Sequence, residues 1–230
     1  MPLIRTVFPY AFGLFFLVSA LVFSACETTE AEPAYLGHDY FGYSEGAWLV
    51  YDVDSTVYDD FLGEVFHYQY QVKELNAAVF VNSQDEERMR LERFWREDDE
   101  DAWKPKNVWT SALLPSRAIK TEENIVYVKL TFPVRQNASW NGNAYNIRTD
   151  QSYVITHTHQ PMEVGTLQFD STVRVLQREF ITLIGEELQY EIYATGVGMI
   201  YKRYVDLSKE IDGTIIRGVD YSYTLSEFGY

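Results

Sequence analysis

Residues 64–72 read EVFHYQYQV, and this stretch decides the fold class because apolar and polar side chains alternate along it. Successive side chains of a β-strand point to opposite faces, so an alternation of period two predicts a strand with one face in water. The polar face would carry the His and Gln residues, and the apolar face would carry these four: Phe66, Tyr68, Tyr70 and Val72.

Similar signals occur on both sides of this stretch. Asp59, Asp60 and Gly63 are turn residues, and they would join it to a preceding strand over residues 48–57. Asn141-Gly142 and Asp212-Gly213 are dipeptides typical of hairpin turns. Further strands are predicted at residues 125–132, 153–159, 172–184, 188–194, 199–207 and 214–224.

Roughly nine or ten strands at short spacing predict an all-β domain with a single curved antiparallel sheet, as a barrel or half-barrel. A mostly β domain is the alternative, with one or two short helices within residues 85–96 and 111–122. Aromatic residues are abundant in the strand segments, and β-strands favour them. We therefore expect a core drawn from the following side chains: Trp48, Phe66, Tyr68, Tyr70, Ile125, Tyr127, Val154, Tyr193 and Tyr201.

The amino-terminal segment has the composition of a secretory signal. Arg5 supplies positive charge, an apolar run follows over residues 7–23, and the small residues Ser24 and Ala25 come directly before Cys26. A positive region, an apolar region and a small-residue cleavage site are the three features that export and processing enzymes recognise. The sequence therefore predicts an exported precursor that is cleaved after residue 25.

The segment Val22-Phe23-Ser24-Ala25-Cys26 resembles the lipobox of bacterial lipoproteins. In that family the Cys thiol is acylated, and the signal is cut directly before it. Phe23 departs from the pattern, which usually has an aliphatic residue at that place. The resemblance implies lipidation at Cys26 and attachment to a membrane of the cell envelope.

The cysteine count agrees with this interpretation. Cys26 is the only cysteine of the chain, and a free thiol in an oxidising compartment is reactive unless it is modified. The alternatives are an uncleaved signal anchor and ordinary cleavage that leaves a free thiol. Glu27 follows the cysteine in place of the Asp that marks inner-membrane retention in this family, so the outer membrane is favoured.

Three segments are predicted: a signal peptide over residues 1–25, an acylated flexible tether over residues 26–40, and one β-rich domain over residues 41–230. Without residues 1–25 the chain keeps 18 Lys+Arg against 34 Asp+Glu, a net charge of −16. A strongly acidic protein is repelled by nucleic acids and by anionic lipid surfaces, so neither is predicted as a partner.

The sequence offers few residues with recognisable chemistry. His157 and His159 stand at positions i and i+2 of a predicted strand, where they would share one face and could hold a metal ion with a further ligand. Two polar residues on a solvent face are the favoured alternative, so no metal and no cofactor are predicted. Residues 42–46 match the G-x-S-x-G pattern of hydrolases but lack the strand and helix that the motif needs around it.

The predicted function is therefore binding rather than catalysis. We expect an envelope-anchored module with an aromatic-lined concavity for an apolar ligand such as an acyl chain. Such a module looks loosely like the half-barrel lipoprotein carriers of Gram-negative envelopes. A subunit of an outer-membrane assembly is the second hypothesis, and a metal-dependent or carboxylate-based enzyme is the third.

Overall fold

Twelve antiparallel strands form one barrel-shaped sheet in the computed structural model, which describes residues 35–230. The all-β prediction with a single curved antiparallel sheet is confirmed. Among the described residues the only helical element is the short 3-10 turn η1, His38–Phe41, and no helix is long and apolar enough to cross a membrane. The strands are β1 Trp48–Asp59, β2 Glu64–Val81, β3 Glu87–Arg96, β4 Lys104–Leu114, β5 Arg117–Glu122, β6 Ile125–Thr131, β7 Ser139–Asn141, β8 Ser152–Val164, β9 Leu167–Ile181, β10 Gly185–Ala194, β11 Gly198–Lys209 and β12 Ile215–Gly229.

The order of the strands explains how the sheet closes. It runs β6-β5-β4-β3-β2-β1-β12-β11-β10-β9-β8-β7, so two meanders meet where β1 pairs with β12. The free ends of the meanders, β6 and β7, also meet: the Val128 amide donates to the Gly142 carbonyl at 2.9 Å, and the Trp140 indole donates to the Val128 carbonyl at 2.8 Å. The sheet is therefore nearly closed into a barrel.

The compact domain begins at Leu36, inside the predicted tether. The turn η1 carries Tyr40, which is fully buried in the core. The Gly196 amide donates to the Asp39 carbonyl, which fixes η1 against the β10–β11 turn. Gly42 follows with φ +64°, and a Cβ there would lie 2.3 Å from the Val197 carbonyl oxygen, so this close approach requires glycine.

The alternative prediction of short helices within residues 85–96 and 111–122 is wrong, because these ranges contain β3, the end of β4 and β5. The expected tight hairpin at Asn141-Gly142 is also wrong, because residues 142–151 form a long loop between β7 and β8. The Asn141 side chain organises that loop by accepting hydrogen bonds from the amides of Asn143 and Gln151. Asp212-Gly213 does form the predicted turn between β11 and β12.

The aromatic core was largely mispredicted. Of the nine expected residues only Tyr193 is buried; Tyr70 and Tyr201 are partly buried and pack against the core, while Tyr68 is half exposed. For Phe66, Tyr68 and Tyr70 the cause is the length of β2: its residues 71–81 pair with β3, but residues 64–70 pair with β1 alone. The first half of β2 therefore has no neighbour on one side. The core instead consists mainly of aliphatic side chains from β1, β8, β9, β10 and β11, together with Tyr40, Tyr51, Tyr153 and Tyr193.

Candidate functional site

Charged side chains are buried inside the barrel, in a group that we call the Glu74 cluster. Glu74 of β2 accepts from the Arg93 guanidinium of β3 at 2.8 Å and from the Lys120 ammonium of β5 at 3.0 Å. The side chains of Glu74 and Arg93 are each only 4% exposed. Because β2 and β5 are not neighbours in the sheet, the contact between Glu74 and Lys120 is made across the interior.

A second group, the Lys129 cluster, joins strands that are still further apart in the sheet order. Lys129 of β6 lies 2.9 Å from Glu122 of β5 and 2.7 Å from Glu191 of β10. Lys202 of β11 stands 3.7 Å from Glu191, and the Tyr193 hydroxyl donates to Glu191 at 2.5 Å. Two carboxylates and two ammonium groups are thus gathered at one place in the interior.

The electrostatics of both clusters keep these groups ionised. Burial on its own would raise the pKa of the Glu74 carboxyl, but the charges of Lys120 and Arg93 hold that pKa below its usual value. Glu191 behaves in the same way, since burial is outweighed by Lys129 and Lys202. Burial opposes the charge of Lys129 too, but Glu122 and Glu191 raise its pKa well above the usual value.

A cavity of about 280 Å³ lies between the two clusters, because its wall includes members of both. Arg93 stacks over the Trp109 ring at 3.6 Å from the ring centroid, which holds the guanidinium flat against one wall. Tyr221 and Tyr223 line the same cavity, and Arg148 of the β7–β8 loop lines it from the exposed side.

An adjoining cavity of about 220 Å³ shares Lys202, Arg148 and Tyr221 with the first. Its lining also includes amide side chains, among them Gln177 of β9, which is buried. The Gln177 amide nitrogen is inaccessible to solvent and has no hydrogen-bond partner within residues 35–230. A buried amide donor without a partner is costly, so a group that accepts from it would be stabilised there.

Sequence reasoning did not identify any of the charged residues of these two clusters. Two of them do carry a signal, since Lys129 stands within the apolar strand β6 and Glu191 within the aromatic and aliphatic segment 188–194. A charged residue inside a strand that is buried on both faces needs a partner of opposite charge. Such a residue indicates that a charge is buried, but the sequence does not show which residue of opposite charge pairs with it.

The predicted histidine pair lies elsewhere, on the outer part of β8. The pairing of β8 with β9 shifts between Ile155 and His157 and again between Thr158 and Gln160, and His159 has φ +54°. These bulges break the alternation on which a shared face for His157 and His159 depended. His159 Nδ1 contacts the Tyr40 hydroxyl at 3.0 Å, whereas His157 Nδ1 contacts the Thr156 hydroxyl at 3.1 Å.

The other candidates can also be placed. Within residues 35–230, no group of three or more His, Cys, Asp or Glu side chains has the arrangement of a metal site. Residues 42–46 lead from η1 into β1, and the Asn76 side chain donates to the Ser44 carbonyl there. Cys26 lies outside the described residues, so its lipidation stays a prediction.

Comparisons with family models and with curated proteins find no match. The chain is similar to the solved structure of a protein of Bacteroides fragilis NCTC 9343, which is inferred to be exported and is described as having a YmcC-like fold. The two sequences are 9% identical and the TM-score is 0.45; the match covers 83% of this chain and 98% of that chain. It is also similar to an inferred lipoprotein of Parabacteroides distasonis ATCC 8503: 12% identity, TM-score 0.38, with the same coverage. At such identities and TM-scores, neither likeness identifies a family or bears on what this chain binds.

Proposed function

We propose that this protein is a binding module that takes a small anionic ligand with hydroxyl groups into the interior of its barrel. The Glu74 cluster carries the proposal: one buried carboxylate faces two cations, the buried Arg93 and the partly buried Lys120. A buried charge is stable only when it is paired. The excess positive charge beside the cavity is therefore suited to a carboxylate or phosphate of a ligand.

The excess is unusual for this chain, whose net charge is −15. Counting both clusters together with Arg148 and Glu123, which also line the cavity, five cations stand against four carboxylates: Arg93, Lys120, Lys129, Arg148 and Lys202 against Glu74, Glu122, Glu123 and Glu191. An acidic exterior repels anions at long range but is screened by salt within about 10 Å at 0.1 M. A local positive site inside an acidic protein therefore favours a small anion that makes direct contacts.

The lining favours a polar ligand over the apolar one that the sequence suggested. Tyrosine hydroxyls and amide side chains surround the second cavity, and the Gln177 amide nitrogen lacks an acceptor among the described residues. Hydroxyl groups can both donate to and accept from such side chains. An acyl chain would instead place methylene groups beside ionised lysines. The lysine charges would lose their hydrating water and gain no hydrogen-bond partner, which is unfavourable.

The pKa shifts of the buried charged groups favour a role in binding over a role in catalysis. A general acid or base works best with a pKa near the working pH. Here the pKa of Glu191 is lowered and that of Lys129 is raised, so each is moved away from neutrality. Ionised groups of this kind hold and orient a charged ligand.

The proposed place of action is the cell envelope, with the outer membrane favoured. The support is the signal-like segment before Cys26 and the likeness of residues 22–26 to a lipobox. An acylated Cys26 would hold the domain at a membrane while the barrel interior stays open to small molecules.

The test is a binding panel with the full chain purified in detergent, measured by isothermal titration calorimetry. Uronic acids, hydroxy acids and inorganic phosphate are compared with the matching neutral sugars and with a fatty acid. We expect saturable binding of a hydroxylated anion and a loss of affinity of about tenfold or more in Lys120→Met.

Lys104→Met is the matched control, because Lys104 is exposed on β4 and lies against Trp95 away from the cavity. It should bind as the native protein does. Tight binding of the fatty acid, or equal affinity of the native chain and Lys120→Met for every anion, would refute the proposal.

A further inference from the structure

Three hairpins of the barrel end in exposed apolar side chains, which we call the hairpin-tip surface. The β1–β2 tip carries Phe61 and Leu62, the β9–β10 tip carries Leu183 and Ile184, and the β11–β12 tip carries Ile211. Phe61 is 93% exposed, Ile211 77% and Leu183 74%. Turns of this kind normally carry polar residues or glycine.

The topology places these tips side by side at one end of the sheet. The six strands involved are consecutive in its order, β2-β1-β12-β11-β10-β9. The Lys209 amide donates to the Ile184 carbonyl at 2.9 Å, and Arg217 lies 3.9 Å from Asp60. The five apolar side chains therefore belong to one continuous surface, at the end opposite to Leu36.

The apolar residues are not needed to form the turns. The Asp59 carboxylate accepts from the amides of Phe61 and Leu62, both at 2.9 Å. Asp212 likewise accepts from the Thr214 amide at 2.9 Å. These hydrogen bonds fix the backbone whatever side chain stands at positions 61, 62 and 211. Clustered apolar side chains in water are unfavourable, and such patches mark sites of interaction.

The charges around the surface determine what can cover it. Glu64, Glu179 and Glu210 are exposed, and within residues 35–230 none of them forms an ion pair. A second copy of this chain would bring the same carboxylates opposite these, and an anionic bilayer would add phosphate charges beside them. Both arrangements are repulsive, whereas basic side chains opposite the three carboxylates would be attracted.

We infer that the hairpin-tip surface docks on a protein partner that presents an apolar recess bordered by Lys and Arg side chains. Phe61 is the main anchor because it is aromatic and almost fully exposed, and large aromatic residues contribute most of the binding energy in protein interfaces. The unpaired carboxylates orient the partner and speed association. This interaction is independent of the interior cavity.

The experiment places a photoreactive amino acid at Leu183 in the full chain, expressed in the cells that produce it. Val81 is the matched control position, since it is also an exposed apolar residue but is the last residue of β2, at the other end of the sheet. We expect one discrete protein adduct from position 183 and none from position 81. The crosslinked peptide of the partner should carry Lys or Arg beside the attachment point.

Charge dependence is tested in the same cells. The triple variant Glu64→Gln/Glu179→Gln/Glu210→Gln should lower the adduct yield about tenfold. The control Asp85→Asn/Glu163→Gln/Asp170→Asn removes the same number of exposed carboxylates from the opposite end and should leave the yield unchanged.

Four results would overturn the inference. The first is an adduct with twice the mass of the chain, and the second is no adduct from position 183. The third is an adduct yield that does not change in the triple glutamate variant. The fourth is Phe61-dependent binding of the purified chain to vesicles of phosphatidylethanolamine with phosphatidylglycerol. The first would identify a second copy as the occupant, and the last would identify a bilayer.

Discussion

The two buried ion clusters differ in the ratio of carboxylates to cations. The Lys129 cluster is balanced, because Glu122 and Glu191 face Lys129 and Lys202. The Glu74 cluster has one carboxylate for the two cations Arg93 and Lys120. A balanced cluster satisfies its own charges and can serve to hold the barrel together, whereas an unbalanced one leaves a charge for a ligand to neutralise. The four predictions that follow test this distinction, from the largest expected effect to the smallest.

Lys129→Met should have the largest effect on stability. It leaves Glu122 and Glu191 with Lys202 as the one remaining cation of the cluster, and breaking a buried pair on one side typically costs about 3–5 kcal/mol. The free energy of unfolding, measured by urea titration, should fall by about that amount. Lys129→Met/Glu191→Gln removes one charge of each sign and should recover a good part of the loss. A loss below about 1 kcal/mol in the single variant would contradict a structural role for this cluster.

Acid should produce the next largest effect. The pKa values of Glu74, Glu122 and Glu191 are all lowered in the folded state, so these groups contribute stability above their unfolded-state pKa and lose it as pH falls through the folded values. The free energy of unfolding should therefore be flat near neutral pH and decline below about pH 4.5. Lys129→Met/Glu191→Gln should show a shallower decline. An identical pH profile in the two proteins would show that Glu191 is not the group responsible.

Tyr193→Phe should have a moderate effect. It removes the hydroxyl that donates to Glu191, and a hydrogen bond to a charged group contributes about 1.5–3 kcal/mol. Tyr153→Phe is the matched control, because Tyr153 is also buried near Lys129 and Glu191 but makes no side-chain hydrogen bond to residues within 35–230. Thermal unfolding of both variants gives the comparison. Equal losses would assign the effect to packing.

Lys120→Met should have the smallest effect on stability. Glu74 keeps Arg93 as a one-to-one partner, so the buried carboxylate stays neutralised. We expect the free energy of unfolding to change by about 1 kcal/mol or less, while affinity for the anionic ligand is lost. A destabilisation as large as that of Lys129→Met would place both clusters in the same structural role and remove the distinction between them.

The fold was predictable where one face of a strand is apolar and the other is polar. Residues 64–72 show this pattern, and the resulting prediction of β2 is confirmed. β5 was missed for a physical reason: its sequence is RAIKTE, and the side chains that point into the barrel include Lys120 and Glu122. A polar interior removes the contrast between the two faces, so no period-two signal remains.

The candidate site was not predictable from spacing. Glu74 and Lys120 are 46 positions apart along the chain, and Lys129 and Glu191 are 62 positions apart. Their partners follow from closure of the barrel, which brings β6 opposite β10. The bulges of β8 near His157 and His159 were not predictable either, because a bulge leaves no mark in the order of polar and apolar residues.

The pairing of β1 with β12 has a consequence for how the chain reaches its folded state. Trp48 pairs with Gly229, so β1 gains its second neighbouring strand only when β12, the last strand, is in place. The hairpins within each meander can form early because their strands are close in sequence, but the seam between the meanders is a non-local contact that forms late. Until β12 is available for pairing, the barrel stays open between the two meanders. The unpaired β1 edge is then the segment most in need of protection by a chaperone.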